Sequence, residues 1–336
     1  MNSLIGHESI ISFLERTVRE GRPAHAYLFT GREGVGKKKV AVRFACMLNC
    51  PDLDADPHAN CSVCRRMLAQ THPDLLLEKP EKGMIRIERV RSVQGFFRYA
   101  PVEGRYRVTI IDDAHTMNRS AQNALLKTLE EPPPSRMLIL VTDKPSLLLP
   151  TVRSRCRRMR FGPIPTDSLA SLLQRQSGLP RERAQVLAAM SGGSVSRALE
   201  ISSPTFSGLR QEVVAALSTP AGRGIAGLLE WSAAISSDRA RTLQVIEIAR
   251  TWIRDVLVAK THYNPSTIMN ADMLDRISFA AQHHDEEDLV SVYEELVKAS
   301  ELVEADFNVN KNLATDVLLM RIARILAGPT LGVASD

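Results

Sequence analysis

The chain has 336 residues, 44% of them hydrophobic and 24% charged, and no apolar run reaches membrane-spanning length. That length accommodates two or three domains with a sizeable buried core, and the polar start after Met1 is unlike a signal peptide, so the cytoplasm is the expected compartment. A net charge of +5 permits contact with nucleic acid, but 5% aromatic content leaves little for a surface that stacks bases.

Ile10, Ile11, Leu14 and Val18 recur on one helical face, predicting a short amphipathic helix within 5–20 that Gly21-Arg22-Pro23 ends. The compact apolar run Ala26–Thr30 predicts a buried strand. It leads straight into Gly31-Arg32-Glu33-Gly34-Val35-Gly36-Lys37-Lys38, which has P-loop spacing, G-x-x-x-x-G-K-S/T, with one residue out of pattern. Gly31, Gly34 and Gly36 let backbone N–H groups wrap phosphates, and Lys37 reaches toward the β- and γ-phosphates. The final position should offer a hydroxyl to Mg²⁺. Lys38 has donors and no acceptor, so it cannot ligate a cation. The loop keeps what holds ATP or ADP and lacks part of what holds Mg²⁺.

Residues 50–72 read as a loop insertion. Four of the five cysteines crowd between positions 46 and 64, which in a large cytoplasmic chain points to metal before disulfides. Cys50, His58, Cys61 and Cys64 are spaced as two close pairs across a short knuckle, which suits tetrahedral Zn²⁺. Cys46 is the rival fourth ligand; one helical turn before Cys50, it reads better as a small apolar packer.

Leu75–Leu77 predicts a strand, and Ile85, Ile87, Val90, Val93 and Phe96 a short strand running into a helix. Arg107–Ile111 is a buried strand ending in Asp112-Asp113-Ala114-His115, a Walker B pattern. In P-loop enzymes the first acid serves the metal and the second polarises the attacking water. Asp113 is one methylene shorter than the usual glutamate, so its carboxylate falls about 1.5 Å short. Misplacement near 1 Å costs about 10²-fold in rate.

Asn118 or Ser120 caps a helix carrying Ala121, Leu125 and Leu129, closed by Pro132-Pro133-Pro134. Met137–Val141 predicts another strand ending in Thr142, a candidate γ-phosphate sensor at the carboxyl end of a parallel sheet, with strand-end capping as the alternative. From Pro165 the periodicity is helical: 167–176, 180–190 and 194–201, then a longer run through Leu243, Trp252, Leu289 and Leu296 to Leu313–Leu326. Strands alternating with helices up to 163, then helices alone, predict a parallel α/β domain followed by all-α structure.

Several segments together resemble the bacterial DNA polymerase III clamp-loader subunits of the AAA+ class. They are Arg22–Phe29 before the P-loop, the cysteine knuckle after the P-loop helix, His72-Pro73-Asp74, Asn123–Pro132 and Ser154-Arg155-Cys156. The resemblance is dense over 5–200 and fades to helical character beyond. It implies an AAA+ P-loop domain over 1–164 with a zinc knuckle at 50–64, a small helical lid domain over 165–204, an all-helical C-terminal oligomerisation collar over 205–328 and a disordered tail at 329–336. It implies that Arg155 is an arginine finger reaching into a neighbouring subunit's ATP site. It also implies structural Zn²⁺ and a set of partners: the tau/gamma and delta subunits in a heteropentamer, the sliding clamp and, through the complex, primed DNA.

Three features depart from the family's pattern. The family's zinc set is four cysteines, and His58 stands for one of them. The lid arginine of hydrolysing members is Ser196 here, with Arg197 one place later. Lys38, Asp113 and Ser196 all point toward lost hydrolysis, so the expected protein is a weakly or non-hydrolysing loader subunit. An active tau/gamma-like motor is the alternative; a zinc-dependent nucleic-acid-binding module is a third reading.

Overall fold

The computed structural model describes residues 5–51, 61–218, 239–261, 267–304 and 321–322. His58, the expected helical residues 313–320 and the tail 329–336 lie outside the described residues.

Five strands form one parallel sheet: β1 (Ala26–Thr30), β2 (Leu75–Glu78), β3 (Arg107–Ile111), β4 (Arg136–Thr142) and β5 (Arg157–Arg160), in the order β2-β3-β4-β1-β5. Thr30 pairs with Thr142, so β1 and β4 end level, while β3 ends at Ile111 beside Leu140. The period of 2 along each strand sends alternate residues to opposite faces. Tyr27, Phe29, Ile110, Ile139 and Val141 pack with Leu14 of α1 (Glu8–Arg19), Val40 and Phe44 of α2 (Lys37–Asn49) and Met67 of α3 (Ser62–Leu68). Ala26, Leu28, Ile111, Leu138 and Leu140 pack with Val90 and Val93 of α4 (Ile87–Phe97), Leu125 and Leu129 of α5 (Arg119–Glu130) and Val152 of α6 (Pro150–Arg153). Both faces being covered is why β1, β3 and β4 read as continuous apolar runs. Asn118 rather than Ser120 caps α5, its Oδ1 accepting from Ala121 N at 2.8 Å.

Three elements differ from the sequence expectation. The short strand expected at Ile85 is only an isolated bridge to Met117 ahead of α4. The insertion after α2 is not all loop, because α3 occupies Ser62–Leu68 and buries Cys64 and Met67. Strand β5 lies in Arg157-Arg158-Met159-Arg160, a mostly exposed sequence with no apolar alternation; it forms because β1 offers a free edge beside it.

The chain divides into two compact units, one of Met1–Gly178 with Ser191–Ala198 and one of Leu179–Met190 with Leu199–Asp336. The helices after the sheet are α7 (Thr166–Ser177), α8 (Arg181–Met190), α9 (Val195–Ile201), α10 (Pro204–Ser218), α11 (Arg239–Thr261), α12 (Leu274–His283) and α13 (Glu286–Glu304). In the second unit α11 packs on α10, α12 and α13. Trp252, Ile253, Val256, Leu289, Val292 and Leu296 are buried there. Asp255, fully buried, accepts from the Asn270 backbone and side-chain amides at 2.7 Å each, and Arg210 donates to Asn270 Oδ1 at 2.7 Å. No helix among the described residues is long and apolar enough to cross a membrane.

Asp74 is the buried polar anchor of the first unit. Its carboxylate accepts from the N–H groups of Val102, Glu103 and Gly104 at 2.7, 2.9 and 2.8 Å and from Arg107 Nε at 3.3 Å. Burial alone raises a carboxyl pKa. Here the three N–H donors and the guanidinium outweigh it and hold Asp74 below its ordinary value. A depressed folded-state pKa contributes stability that is present above the unfolded value near 4 and lost as pH falls through the folded value. Asp74→Ala leaves Arg107 buried without its carboxylate, a loss of about 3–5 kcal/mol. Asp74→Asn should lower the urea midpoint at pH 7, with the gap to the parent closing as pH is taken below 4; an unchanged gap down to pH 2.5 refutes the assignment.

Candidate functional site

In a parallel sheet covered on both faces, polar side chains gather at the carboxyl ends of the strands, where the loops emerge. Gly31 follows β1, Asp112 and Asp113 follow β3, and Thr142 ends β4 with Asp143 just after it. Since β3, β4 and β1 are neighbours, the topology brings all of the sequence-predicted nucleotide residues to one rim.

The P-loop turns from β1 into α2, with Gly36 as N-cap at φ 99°. Lys37 is buried, and its ammonium donates to the carbonyls of Gly31 and Arg32 at 2.7 Å each. Two of its three protons are thus used within the loop, leaving one for a phosphate oxygen. Burial pulls its pKa down, with Asp143, Asp113, Glu33 and Asp112 opposing. Lys38 meets Asp112 Oδ2 at 2.9 Å. That ammonium sits against the carboxylate that serves the metal in P-loop enzymes, so the residues present do not fit Mg²⁺ at this position. Asp113 stands exposed just beyond β3 with φ 47°. Although the residue is exposed overall, partial desolvation of its carboxyl group and, next, the neighbouring Asp112 charge raise its pKa.

Thr142 is buried, and its hydroxyl is already engaged. Oγ1 accepts from Lys144 N at 3.1 Å and lies 3.1 Å from His115 Nδ1. The residues from 191 to 198 close over the P-loop, as Gly34 O accepts from Val195 N at 2.9 Å. A Cβ on Gly34, at φ 74°, would stand 2.1 Å from Ser194 Oγ and 2.9 Å from Ser196 Cβ. His7 braces the loop from α1's start, with Nε2 2.9 Å from Val35 O and its ring edge-on to Phe161. His7, Ser194, His115 and Asp143 are rim residues that sequence reasoning did not single out. Only the last two carry a local signal, each adjoining a strand end already recognised.

Arg155 lies apart from this rim, just past α6. It pairs with Glu130 Oε1 at 2.8 Å and donates to Thr151 O at 3.0 Å. The pair is partly exposed, and such pairs are worth about 0–1 kcal/mol, so the guanidinium is lightly tethered.

The second predicted site comes together at three of its four positions. Cys50 caps the end of α2, Cys61 caps the start of α3 and Cys64 lies one turn inside it. Their sulfur atoms lie within 4.8 Å of one another, with Cys50 and Cys61 at 4.0 Å. Tetrahedral thiolates around Zn²⁺ stand about 3.8 Å apart, so the cluster could hold a metal. Cys46 is not part of it; its thiol donates to Cys64 O at 3.8 Å, and burial pushes its pKa to about 12.

A P-loop, a two-acid strand end and a parallel sheet in the order β2-β3-β4-β1-β5 followed by helices define the class, an AAA+ protein. The family described as "DNA polymerase III, delta subunit" matches residues 6–165, and its C-terminal counterpart matches 205–324. DNA polymerase III subunit delta′ of Pseudomonas aeruginosa is 30% identical over 318 residues, 91% of this chain and 93% of that one. Subunit delta′ of Bacillus subtilis is 34% identical over 57% of this chain and 58% of its own length. Subunit tau of Escherichia coli is 33% identical over 69% of this chain, which spans only 36% of tau. The chain belongs to the DNA polymerase III subunit delta′ family.

Gly34→Ala and Gly36→Ala test the packed P-loop. Both positions have positive φ, but a Cβ at Gly36 meets nothing within 4 Å. Gly34→Ala adds a steric collision worth roughly 1–3 kcal/mol to the shared backbone strain. It should melt several degrees below Gly36→Ala by calorimetry; equal melting refutes the closed arrangement.

Proposed function

We propose that the protein is the delta′ subunit of a DNA polymerase III clamp loader that does not turn over ATP at its own P-loop and serves a neighbouring subunit's site through Arg155. The observation that carries the reading is the Lys38–Asp112 ion pair at 2.9 Å. An internal ammonium takes the carboxylate that a catalytic Mg²⁺ needs, and Asp113 is too short to replace the usual glutamate. The glycine loop and Lys37 keep the makings of a phosphate cradle, with Gly31, Gly34, Gly36, Lys37 and the Thr142 end of β4 around it. Nucleotide can dwell there without being cleaved.

In this reading the protein assembles with tau/gamma and delta subunits through its C-terminal helices, and the assembly opens the sliding clamp and loads it on primed DNA. Arg155 stabilises transition-state charge in the adjacent ATP site, a contribution of about 10³–10⁵ in rate in such trans arrangements. Its light tether to Glu130 suits a group that must leave one anion for another. Cys50, Cys61 and Cys64, with His58 as the fourth ligand, hold a structural Zn²⁺. The ion ties the end of α2 to α3 and gives a short segment local order that its small core does not supply.

Reconstitution with a wild-type ATPase neighbour tests the function. Arg155→Ala should lower DNA-stimulated ATP turnover at least a hundredfold while leaving assembly intact. Unchanged turnover refutes the finger. Turnover by the isolated chain that Lys37→Ala abolishes would instead identify a tau/gamma-like motor. For the metal, elemental analysis should find one zinc per chain, and Cys64→Ser should remove it and lower the melting temperature. Zinc-free protein of unchanged stability refutes the structural role.

A further inference from the structure

Strand β5 closes one side of the sheet, paired with β1 alone, and the charge around it is of one sign. Between positions 144 and 166 the chain carries Lys144, Arg153, Arg155, Arg157, Arg158 and Arg160 and no acidic residue. Those six cations exceed the net charge of +5 on the whole chain, so this stretch alone accounts for its basic balance. Arg157, Arg158 and Arg160 are exposed, and none of the three meets a carboxylate among the described residues.

The backbone of β5 is open along the same edge. Phe161 N donates to Thr30 O at 2.7 Å, and the Thr30 hydroxyl donates to Met159 O at 3.3 Å. Successive residues of a strand turn their N–H and C=O groups to opposite neighbours. Arg157, Met159 and Phe161 therefore bond toward β1, and Arg158 and Arg160 turn theirs to the open edge. Side chains alternate between the two faces as well. Arg158 stands beside Leu28 in register, and its Nε donates to Thr30 Oγ1 at 3.3 Å. Arg157 lies on the other face, its guanidinium 4.4 Å from the centre of the Phe13 ring, and Arg16 reaches the same ring at 5.8 Å. One edge combines unmet backbone donors and acceptors with cations on both faces.

A charged edge ordinarily deters pairing between sheets, and lysine is the usual residue for it. Arginines without partners do more, because they reject basic strands and favour acidic ones. Their planar fork binds a carboxylate bidentately. A phosphodiester backbone could also meet the guanidinium groups, but it has no donor for the carbonyls of Arg158 and Arg160. A peptide strand satisfies both the carbonyls and the N–H groups.

We propose that the open edge of β5 receives an acidic, extended segment of a partner protein as a sixth strand, with carboxylates against Arg158 and Arg160 on one face and Arg157 on the other. Backbone bonds to Arg158 and Arg160 supply the pairing, and the arginines supply the selection. The inference goes beyond the function proposed above and holds whether or not Arg155 serves a neighbour or nucleotide occupies the P-loop.

The probe is a fluorescein-labelled peptide, Glu-Glu-Val-Glu-Glu-Val-Glu-Glu, titrated with the full-length protein and followed by fluorescence anisotropy. It should bind with sub-millimolar affinity at low salt, and hydrogen exchange within 157–161 should slow when it does. Arg158→Gln combined with Arg160→Gln, which keeps a side-chain donor at each position, should weaken binding about tenfold. Replacing both valines of the peptide by proline keeps its charge. Three residues apart, the prolines fall on opposite edges of the strand, so each edge loses a donor. That peptide should bind about tenfold more weakly to the unaltered protein, a comparison that stands even where the double variant folds poorly. No binding at millimolar peptide overturns the proposal. Equal binding of the proline peptide overturns it too, since the attraction would then be charge alone. A single-stranded oligonucleotide of equal charge that binds more tightly than the peptide, and is weakened by the same two substitutions, also overturns it by making the edge a phosphate site.

Discussion

A parallel sheet buried on both faces has one outlet for chemistry, the rim where its strands end. In this protein that constraint governs everything in the α/β unit. The middle residues of β1, β3 and β4 are committed to two apolar layers, Tyr27 and Phe29 to one and Ala26 and Leu28 to the other. Loops are free to carry charge only past Thr30, Ile111 and Thr142. Their register, Thr30 beside Thr142 and Ile111 beside Leu140, sets five ionisable groups side by side. Lys37, Lys38, Asp112, Asp113 and Asp143 could not be so close anywhere that burial was complete, because unpaired charges in a low dielectric are too costly.

Charge balance at the rim then decides what the site can hold. Exchanging a hydroxyl for the Lys38 ammonium does more than delete a metal ligand. It supplies a cation that needs no metal, bound to the carboxylate that would have competed for one.

Most of the sheet was legible because buried parallel strands announce themselves as apolar runs, and the P-loop and two-acid end have fixed positions relative to them. What sequence did not convey has identifiable causes. Strand β5 is Arg157–Arg160, whose pairing is decided by the open edge of β1 and not by its own side chains. Helix α3 has few residues and hides behind the cysteines whose spacing drew the eye. Asp74 looked like part of a family motif. Its role as acceptor for the chain at 102–104 depends on residues far along the sequence folding back onto it. The same holds for Gly34 and Ser194, a contact across some 160 positions that only the closed chain reveals. Three of the four expected zinc ligands are adjacent in space as their spacing suggested, because helix ends at Cys50 and Cys61 aim them at one point.

The P-loop's persistence in a chain poorly equipped to hydrolyse ATP has a physical reason within the fold itself. Its backbone is fastened from three directions. Val195 N donates to Gly34 O, His7 meets Val35 O, and Lys37 bonds the carbonyls of Gly31 and Arg32. Removing the lysine would leave two part-buried acceptors without partners, and enlarging Gly34 would drive the 191–198 segment away. These contacts need no nucleotide, so the loop's shape is held by what the rest of the unit rests on it. A phosphate cradle that is also a packing surface can lose its chemistry and still be required. Substitutions that leave these carbonyls untouched, such as a lysine at position 38, are the ones such a fold can absorb.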